Sequence, residues 1–348
     1  MMPRPWYSRI VVLLLLALPL LALGGRILPY FTDPALEIYN APATFTRRNL
    51  DFTLNVTGRL GAGHEGIQYR VNDGPWRPYS FLRPYADEPF FTIQIPRGLV
   101  VPGKNRLTLK AGGWFGSESR KDLEFSYSDA IPQLPITCDW SKDGLQAAHG
   151  GWERVQVDGK WFARVKPGTE GYDRILVLTG AFPGDRRIET RVHFSTAPAK
   201  GLHYGFGVLP LWGGRPDREG QVPRRGWEFS LAWYYSHRLG VGQEFSYKEA
   251  DGEPDWLGSY RNYQMREDSW HNIVVEVWRE LDDQGRFVQW VQRMKWWQDG
   301  EEVPKVWRKL EDSLPRPLDD HEYGVGFVAH RCSIDVGETR ILPLHRGK

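Results

Sequence analysis

From about residue 34 onward this 348-residue chain carries almost no helical periodicity; apolar and polar residues alternate in short runs bounded by Gly, Pro, Asp and Asn. A period of two sends successive side chains to opposite faces of a strand. Short runs of that kind between turn residues make hairpins, so the chain is expected to be all-β. Its length fits two domains, each large enough to bury a core. In a first unit, 34–128, strands are expected over 50–56, 67–71, 90–95, 105–111 and 123–127, spaced as in a small sandwich. Asn72-Asp73-Gly74 and Pro102-Gly103-Lys104-Asn105 supply tight turns. The stretch 129–135, with Pro132 and Pro135, reads as a linker. A second unit, 136–348, shows alternation over 188–194, 202–209, 227–235, 273–278, 287–297 and 323–329.

Ahead of both units, Arg4 and Arg9 precede an apolar run over 10–23 that ends in Gly24-Gly25. This is the layout of a signal peptide. The run falls short of the roughly 20 residues of a spanning helix, although an uncleaved anchor over 1–28 is the alternative. Either form exports the two units, because the positive end stays in the cytoplasm. The chain is therefore expected to be secreted, periplasmic or membrane-anchored facing outward, touching membrane only through this segment. Lys plus Arg total 45 against 43 for Asp plus Glu, a net charge of +2. So even a balance makes no broad field for nucleic acid, which is excluded as a partner. The two cysteines, Cys138 and Cys332, form no CxxC pair and cannot alone build a zinc site.

In the first unit, Tyr69-Arg70-Val71-Asn72-Asp73-Gly74-Pro75-Trp76 and Val101-Pro102-Gly103-Lys104-Asn105-Arg106-Leu107 resemble the bacterial immunoglobulin-like modules attached to extracellular carbohydrate-active proteins. The second unit carries Ser269-Trp270-His271-Asn272-Ile273-Val274-Val275-Glu276-Val277, the hairpin Trp297-Gln298-Asp299-Gly300-Glu301 and the closing Tyr323-Gly324-Val325-Gly326-Phe327. It resembles the concanavalin A-like jelly roll of laminin G-like domains, legume-type lectins and several glycosidase families. Gly226-Trp227-Glu228-Phe229 is similar to a strand opening in the 3-keto-disaccharide hydrolase-like branch. The resemblance implies an immunoglobulin-like sandwich followed by a jelly-roll sandwich. It also implies first and last strands side by side, with Cys138 and Cys332 close enough for a disulfide.

Alternation sorts the side chains of the second unit. Ile188, Val192 and Phe194 are expected in the core, turning Glu189, Arg191 and His193 outward. The same rule turns out His203, Glu228, Tyr234, Glu276 and Trp278 on the other strands. If those strands share one concave sheet, it offers carboxylates, imidazoles and aromatic rings together, a combination suited to sugars. Rings pack on the apolar faces of pyranoses, and the polar groups bond hydroxyls. Paired carboxylates about 5 to 9.5 Å apart would also suit glycosidic bond cleavage. Solvated faces of amphipathic strands give the same alternation. Trp290 and Trp296, with Val288 and Met294, are expected in the core. Trp297 points oppositely as a candidate platform, and Trp270 is expected to staple a strand entrance.

The stretch 210–225 reads as a long loop carrying Trp212, Arg215, Arg218, Arg224 and Arg225. Adjacent arginines there could clamp an acidic sugar. Asp251, Glu253 and Asp255 form an acidic loop with oxygens suited to Ca²⁺, though Ala250, Gly252 and Pro254 imply a turn and not a catalytic strand. No cofactor is required. Asn55-Val56-Thr57 matches a glycosylation acceptor by chance inside a strand. The leading expectation is an exported lectin-like protein that binds polysaccharide or oligosaccharide. The alternatives are a glycoside hydrolase using Glu228 with Glu189 or Glu276, and a structural module of an envelope assembly.

Overall fold

The computed structural model describes residues 36–41, 43–46, 52–61, 64–79, 90–113, 118–142, 145–171, 173–178, 180–182, 184–196, 204–214, 228–237, 240–248, 255–261, 266, 268–309 and 323–345. For 228–237, 240–248 and 255–261 it describes the backbone alone. The expected export segment 1–28 lies outside the described residues.

The described chain is all-β. The first unit contains β1 (Leu36–Asn40), β2 (Thr44–Thr46), β3 (Phe52–Leu60), β4 (His64–Val71), β5 (Arg77–Tyr79), β6 (Phe90–Pro96), β7 (Gly103–Gly113) and β8 (Glu118–Ser128). They form a three-stranded sheet in the order β1-β3-β6 and a five-stranded sheet in the order β2-β8-β7-β4-β5. Val56, Ile93 and Ile95 from the first sheet meet Ile67, Leu107, Leu109 and Phe125 from the second in one buried cluster. The two predicted turns are tied to each other. Asn72 takes a positive φ of 53°, and its amide donates to Asn105 Oδ1 at 3.1 Å. Asn55 and Thr57 are each 1 % exposed, so the acceptor motif is closed to a glycan.

The second unit contains β9 (Ile136–Cys138), β10 (Leu145–His149), β11 (Trp152–Val157), β12 (Lys160–Val165), β13 (Arg174–Leu178), β14 (Arg186–Thr196), β15 (Tyr204–Gly214), β16 (Glu228–His237), β17 (Gly240–Lys248) and β18 (Asp255–Arg261). It continues with β19 (Ser269–Leu281), β20 (Phe287–Gln298), β21 (Arg308–Lys309), β22 (Gly324–His330) and β23 (Ser333–Pro343). A seven-stranded sheet runs β10-β13-β22-β15-β16-β17-β18, and an eight-stranded sheet runs β11-β12-β23-β14-β19-β20-β21, with β9 paired to β23. Ile188, Val192, Phe194, Ile273, Val275 and Val277 on the eight-stranded sheet pack against Leu176, Phe206, Val208, Val325 and Phe327 on the other. Each such side chain contributes roughly 1.5–3 kcal/mol when fully buried, so alternation on β14 and β19 fixes which face is core.

β10, β13 and β22 are buried along their whole length. Strands covered on both faces show no alternation, which is why the first two left no periodic signal. Trp290, Met294 and Trp296 are core as expected, whereas Val288 is 46 % exposed.

The expected disulfide is corrected. The first and last strands do pair, but the antiparallel register sets Cys138 opposite Thr339. Cys332 lies seven positions before Thr339 in the sequence, roughly 23 Å away along a strand at about 3.3 Å per residue. That separation is far beyond disulfide reach. Both cysteines are free thiols. Cys332 donates to the Gly205 carbonyl at 3.1 Å, and burial pushes the Cys138 and Cys332 thiols up to about 11 and about 12.

Candidate binding groove

The face of the eight-stranded sheet turned away from the core carries polar and aromatic side chains in rows that cross the strands. Register defines them. His193 stands between Trp270 and Asp335, and Arg164 continues from Asp335. The next row is Arg191, Asn272 and Trp297. A third is Arg340, Glu189, Val274 and Lys295, and a fourth is Arg187, Glu276 and Arg293. Over the first two rows, and over Arg340, Glu189, Val274 and Arg187 of the next two, lies a groove of about 1110 Å³, lined also by Trp161, Phe162, Val303 and Glu338; Lys295, Glu276 and Arg293 stand beside it.

Within the first row, Arg164 grips Asp335 bidentately, Nε to Oδ1 at 2.6 Å and Nη2 to Oδ2 at 2.7 Å. That carboxylate holds the Arg164 guanidinium above its ordinary pKa. His193 lies 3.0 Å from Asp268 through Nε2 and 3.9 Å from Asp335 through Nδ1. Its ring meets Trp270 at 5.1 Å between centroids. Trp270 is also covered by Phe162 at 5.3 Å and by the Arg191 guanidinium at 4.9 Å. Trp270, the second residue of β19, thus packs the strand's entrance against its neighbours and is a paved part of the groove floor.

Trp297 differs. It is half-buried, lines the groove, and has no ring or cation packed on it among the described residues. Beside it, Asn272 Nδ2 donates to Asp299 Oδ1 at 2.8 Å, and Arg191 donates to Asp299 Oδ2. The Asp299 carboxylate is fixed from two sides and remains 46 % exposed. An aromatic face next to an oriented carboxylate, amide and guanidinium can stack a ring and bond its hydroxyls.

The carboxylates expected to work together are distributed otherwise. Glu189 and Glu276 share this face as diagonal neighbours, but Arg187 lies between them, donating from Nε to Glu189 at 2.7 Å and from Nη1 to Glu276 at 3.1 Å. Arg340 donates to the other Glu189 oxygen at 3.2 Å. Arg293 reaches the other Glu276 oxygen at 2.6 Å through Nε and 2.5 Å through Nη2. Glu276 is only 3 % exposed.

Glu228 and Tyr234 belong to β16, in the seven-stranded sheet. The single concave sheet joining all four strands is therefore corrected, because β15 and β16 cross to the opposite layer. The side chains of Glu228 and Tyr234, and His203, Arg215, Arg218, Arg224, Arg225, Asp251 and Glu253, lie outside the described residues. So does the side chain of Asp255, which opens β18. Trp278 does share the outward parity of Glu276, but Arg293 sits 5.5 Å from its ring and it is 8 % exposed, so it is no platform. Trp212 is not on a loop; it sits in β15, buried with Leu209, Val177 and Val328. Among the described residues no group of three His, Cys, Asp or Glu is placed to hold a metal.

Sequence reasoning missed Asn272, Asp299, Lys295, Arg340, Arg164 and Asp335 as members of this face. Parity alone would have added Asn272 to Val274 and Glu276. Nothing local marks Asp335 or Arg340, because a register shift between Thr190 and Val192 separates their rows on the β14–β23 pair.

No protein-family model matches the chain, and no curated protein matches it in sequence. Among solved structures it is similar to the alginate lyase Aly36B, at 11% identity and a TM-score of 0.38 over 63% of this chain and 100% of that one. It is also similar to the exoplasmic/lumenal domain of VIP36 in a Ca²⁺/Man3GlcNAc-bound form, at 10% identity and 0.39 over 59% and 86%. A third is the PL-14 alginate lyase from Aplysia kurodai, at 12% identity and 0.37 over 56% and 87%.

Proposed function

We propose that the chain is an exported carbohydrate-binding protein that holds a polysaccharide or oligosaccharide in the groove of the eight-stranded sheet. In this reading the second unit is a concanavalin A-like jelly roll, the first an immunoglobulin-like spacer, and the N-terminal segment a signal peptide or membrane anchor. The observation that carries it is the Trp297 ring, uncovered among the described residues, beside Asn272, Asp299 and Arg191. Stacking one sugar there offers a base contribution of order 1 kcal/mol beyond area burial, and the fixed polar trio supplies orientation.

Binding without cleavage is part of the proposal. Glu228 sits in the other sheet, and the diagonal between Glu189 and Glu276 is filled by the Arg187 guanidinium, where a glycosidic oxygen would have to lie. A glycan array probed with the full chain tests it. Trp297→Ala is expected to abolish the glycan signal while leaving the unfolding midpoint within experimental error. Glycan binding that survives this change, or release of reducing ends by the wild-type chain, sinks the reading.

A further inference from the structure

Charge is unevenly divided along the groove. At the end nearest Trp270, Arg164 and Arg191 are matched by Asp335 and Asp299, and Asp268 faces His193. At and just beyond the other end, Arg187, Arg340, Arg293 and Lys295 are set, among the described residues, against Glu189, Glu276 and the exposed Glu338. Lys295 has no carboxylate in reach among the described residues, and its ammonium lies 5.0 Å from the Trp307 ring centroid. The Arg293 guanidinium lies over the same ring at 4.4 Å and that of Arg187 at 6.0 Å.

Two of these cations, Arg187 and Arg293, are held in place from below. The buried Glu276 carboxylate binds Arg187 and Arg293 at once, and each arginine spends only two of its five N–H donors on the carboxylates. Remaining donors on a pre-oriented guanidinium suit a planar or tetrahedral oxyanion. Lys295 lies two residues from Trp297 on β20, with both on the outward face. That is roughly 7 Å along a strand, so one ligand can touch both.

We propose that Lys295, Arg293 and Arg187, backed by Trp307, form a subsite for an anionic substituent, a carboxylate or a sulfate ester, on a glycan whose neighbouring unit stacks on Trp297. The subsite rests on the glycan-groove reading. It selects charged over neutral polysaccharide, and the selection weakens as salt screens the partly exposed cations.

Calorimetric titration of the full chain tests it with two matched pairs of hexasaccharides: mannohexaose against a mannuronate hexamer, and an agarose hexamer against a sulfated carrageenan hexamer. At least one charged member is expected to bind roughly tenfold more tightly than its neutral counterpart, the size of a charge-assisted hydrogen bond. Preference within the first pair assigns a carboxylate, within the second a sulfate ester. Lys295→Gln should erase most of that preference and leave neutral binding unchanged, and Lys295→Glu should reverse it. Equal binding of charged and neutral members, or a preference untouched in both variants, overturns the subsite and leaves the Trp297 groove standing. Failure of all four hexamers to bind overturns the subsite together with the groove reading.

Discussion

Asn40 behaves toward Ala147 as a strand would: its side-chain carbonyl accepts from the Ala147 N–H at 2.9 Å while its amide donates to the Leu145 carbonyl at 3.1 Å. Ala147 and Leu145 lie on β10, the edge of the seven-stranded sheet, and an edge presents unpaired backbone groups. Glu37, on the same strand as Asn40, adds an ion pair to Lys166 at 2.9 Å. Asn40→Ala removes both backbone contacts and is expected to cost about 1–2 kcal/mol of unfolding free energy. Urea unfolding checks it, and an unchanged midpoint would show that the two units gain nothing from this contact.

Arg186 is fully buried, and among the described residues it has no carboxylate partner. Its guanidinium donates to the carbonyls of Phe182 at 2.8 Å and Pro210 at 2.7 Å, with Gly184 and Tyr323 at 3.2 and 3.3 Å. Burial pulls its pKa down to about 9. Four acceptors drawn from separate segments need a planar fork, which an ammonium cannot imitate. Arg186→Lys is therefore expected to destabilise by about 2–4 kcal/mol, from carbonyls left unsatisfied. Loss of less than half a kcal/mol in urea unfolding would refute the role.

Strand parity is legible in the sequence because it is a geometric rule: it turns Glu189, Arg191 and His193 away from the core on β14, and Glu276 away from it on β19, without any tertiary contact. Which sheet each strand joins is not legible. β14 and β15 follow one another, yet they lie in opposite layers, and no local residue pattern announces that crossing. Nor does parity report what covers an outward face. Trp278 and Trp297 read alike in sequence, but Arg293 covers one, and the other lines the groove with nothing packed on it among the described residues. The Cys138–Cys332 expectation failed on register, a quantity that depends on how far one strand slides past another.

His271 faces inward between the layers, accepting from the Trp296 indole N–H at 3.1 Å and lying edge-on to Phe206. Burial, helped by the charge of His193 and opposed by Asp299, lowers its pKa from 6.5 to about 4. A depressed histidine stays neutral in the folded state while the unfolded chain takes up a proton below 6.5. Its stabilising effect is thus present above pH 6.5 and is lost as pH falls toward 4, by roughly 3 kcal/mol in full. His271→Gln keeps an acceptor for the indole but cannot titrate. Between pH 7 and pH 4.5 the wild type should lose more unfolding free energy than this variant, and parallel losses would remove His271 as the cause.

Glu276 separates a catalytic from a structural role for the groove carboxylates. A general acid or base must reach the reacting bond, whereas Glu276 is buried and spends its oxygens on Arg187 and Arg293. Removing one member of such a cluster leaves the others uncompensated, a loss of up to 3–5 kcal/mol for fully buried pairs. Both arginines are 36% exposed, so solvent screens them and about 1–3 kcal/mol is the expected cost of Glu276→Gln. The same change frees Arg187 to turn wholly toward Glu189, which disorders the cations around Trp307. Fluorescence of that indole should therefore shift in the variant. A double-mutant cycle with Arg293→Met measures the coupling directly; a coupling energy near zero would falsify the claim that Glu276 exists to hold these arginines in place.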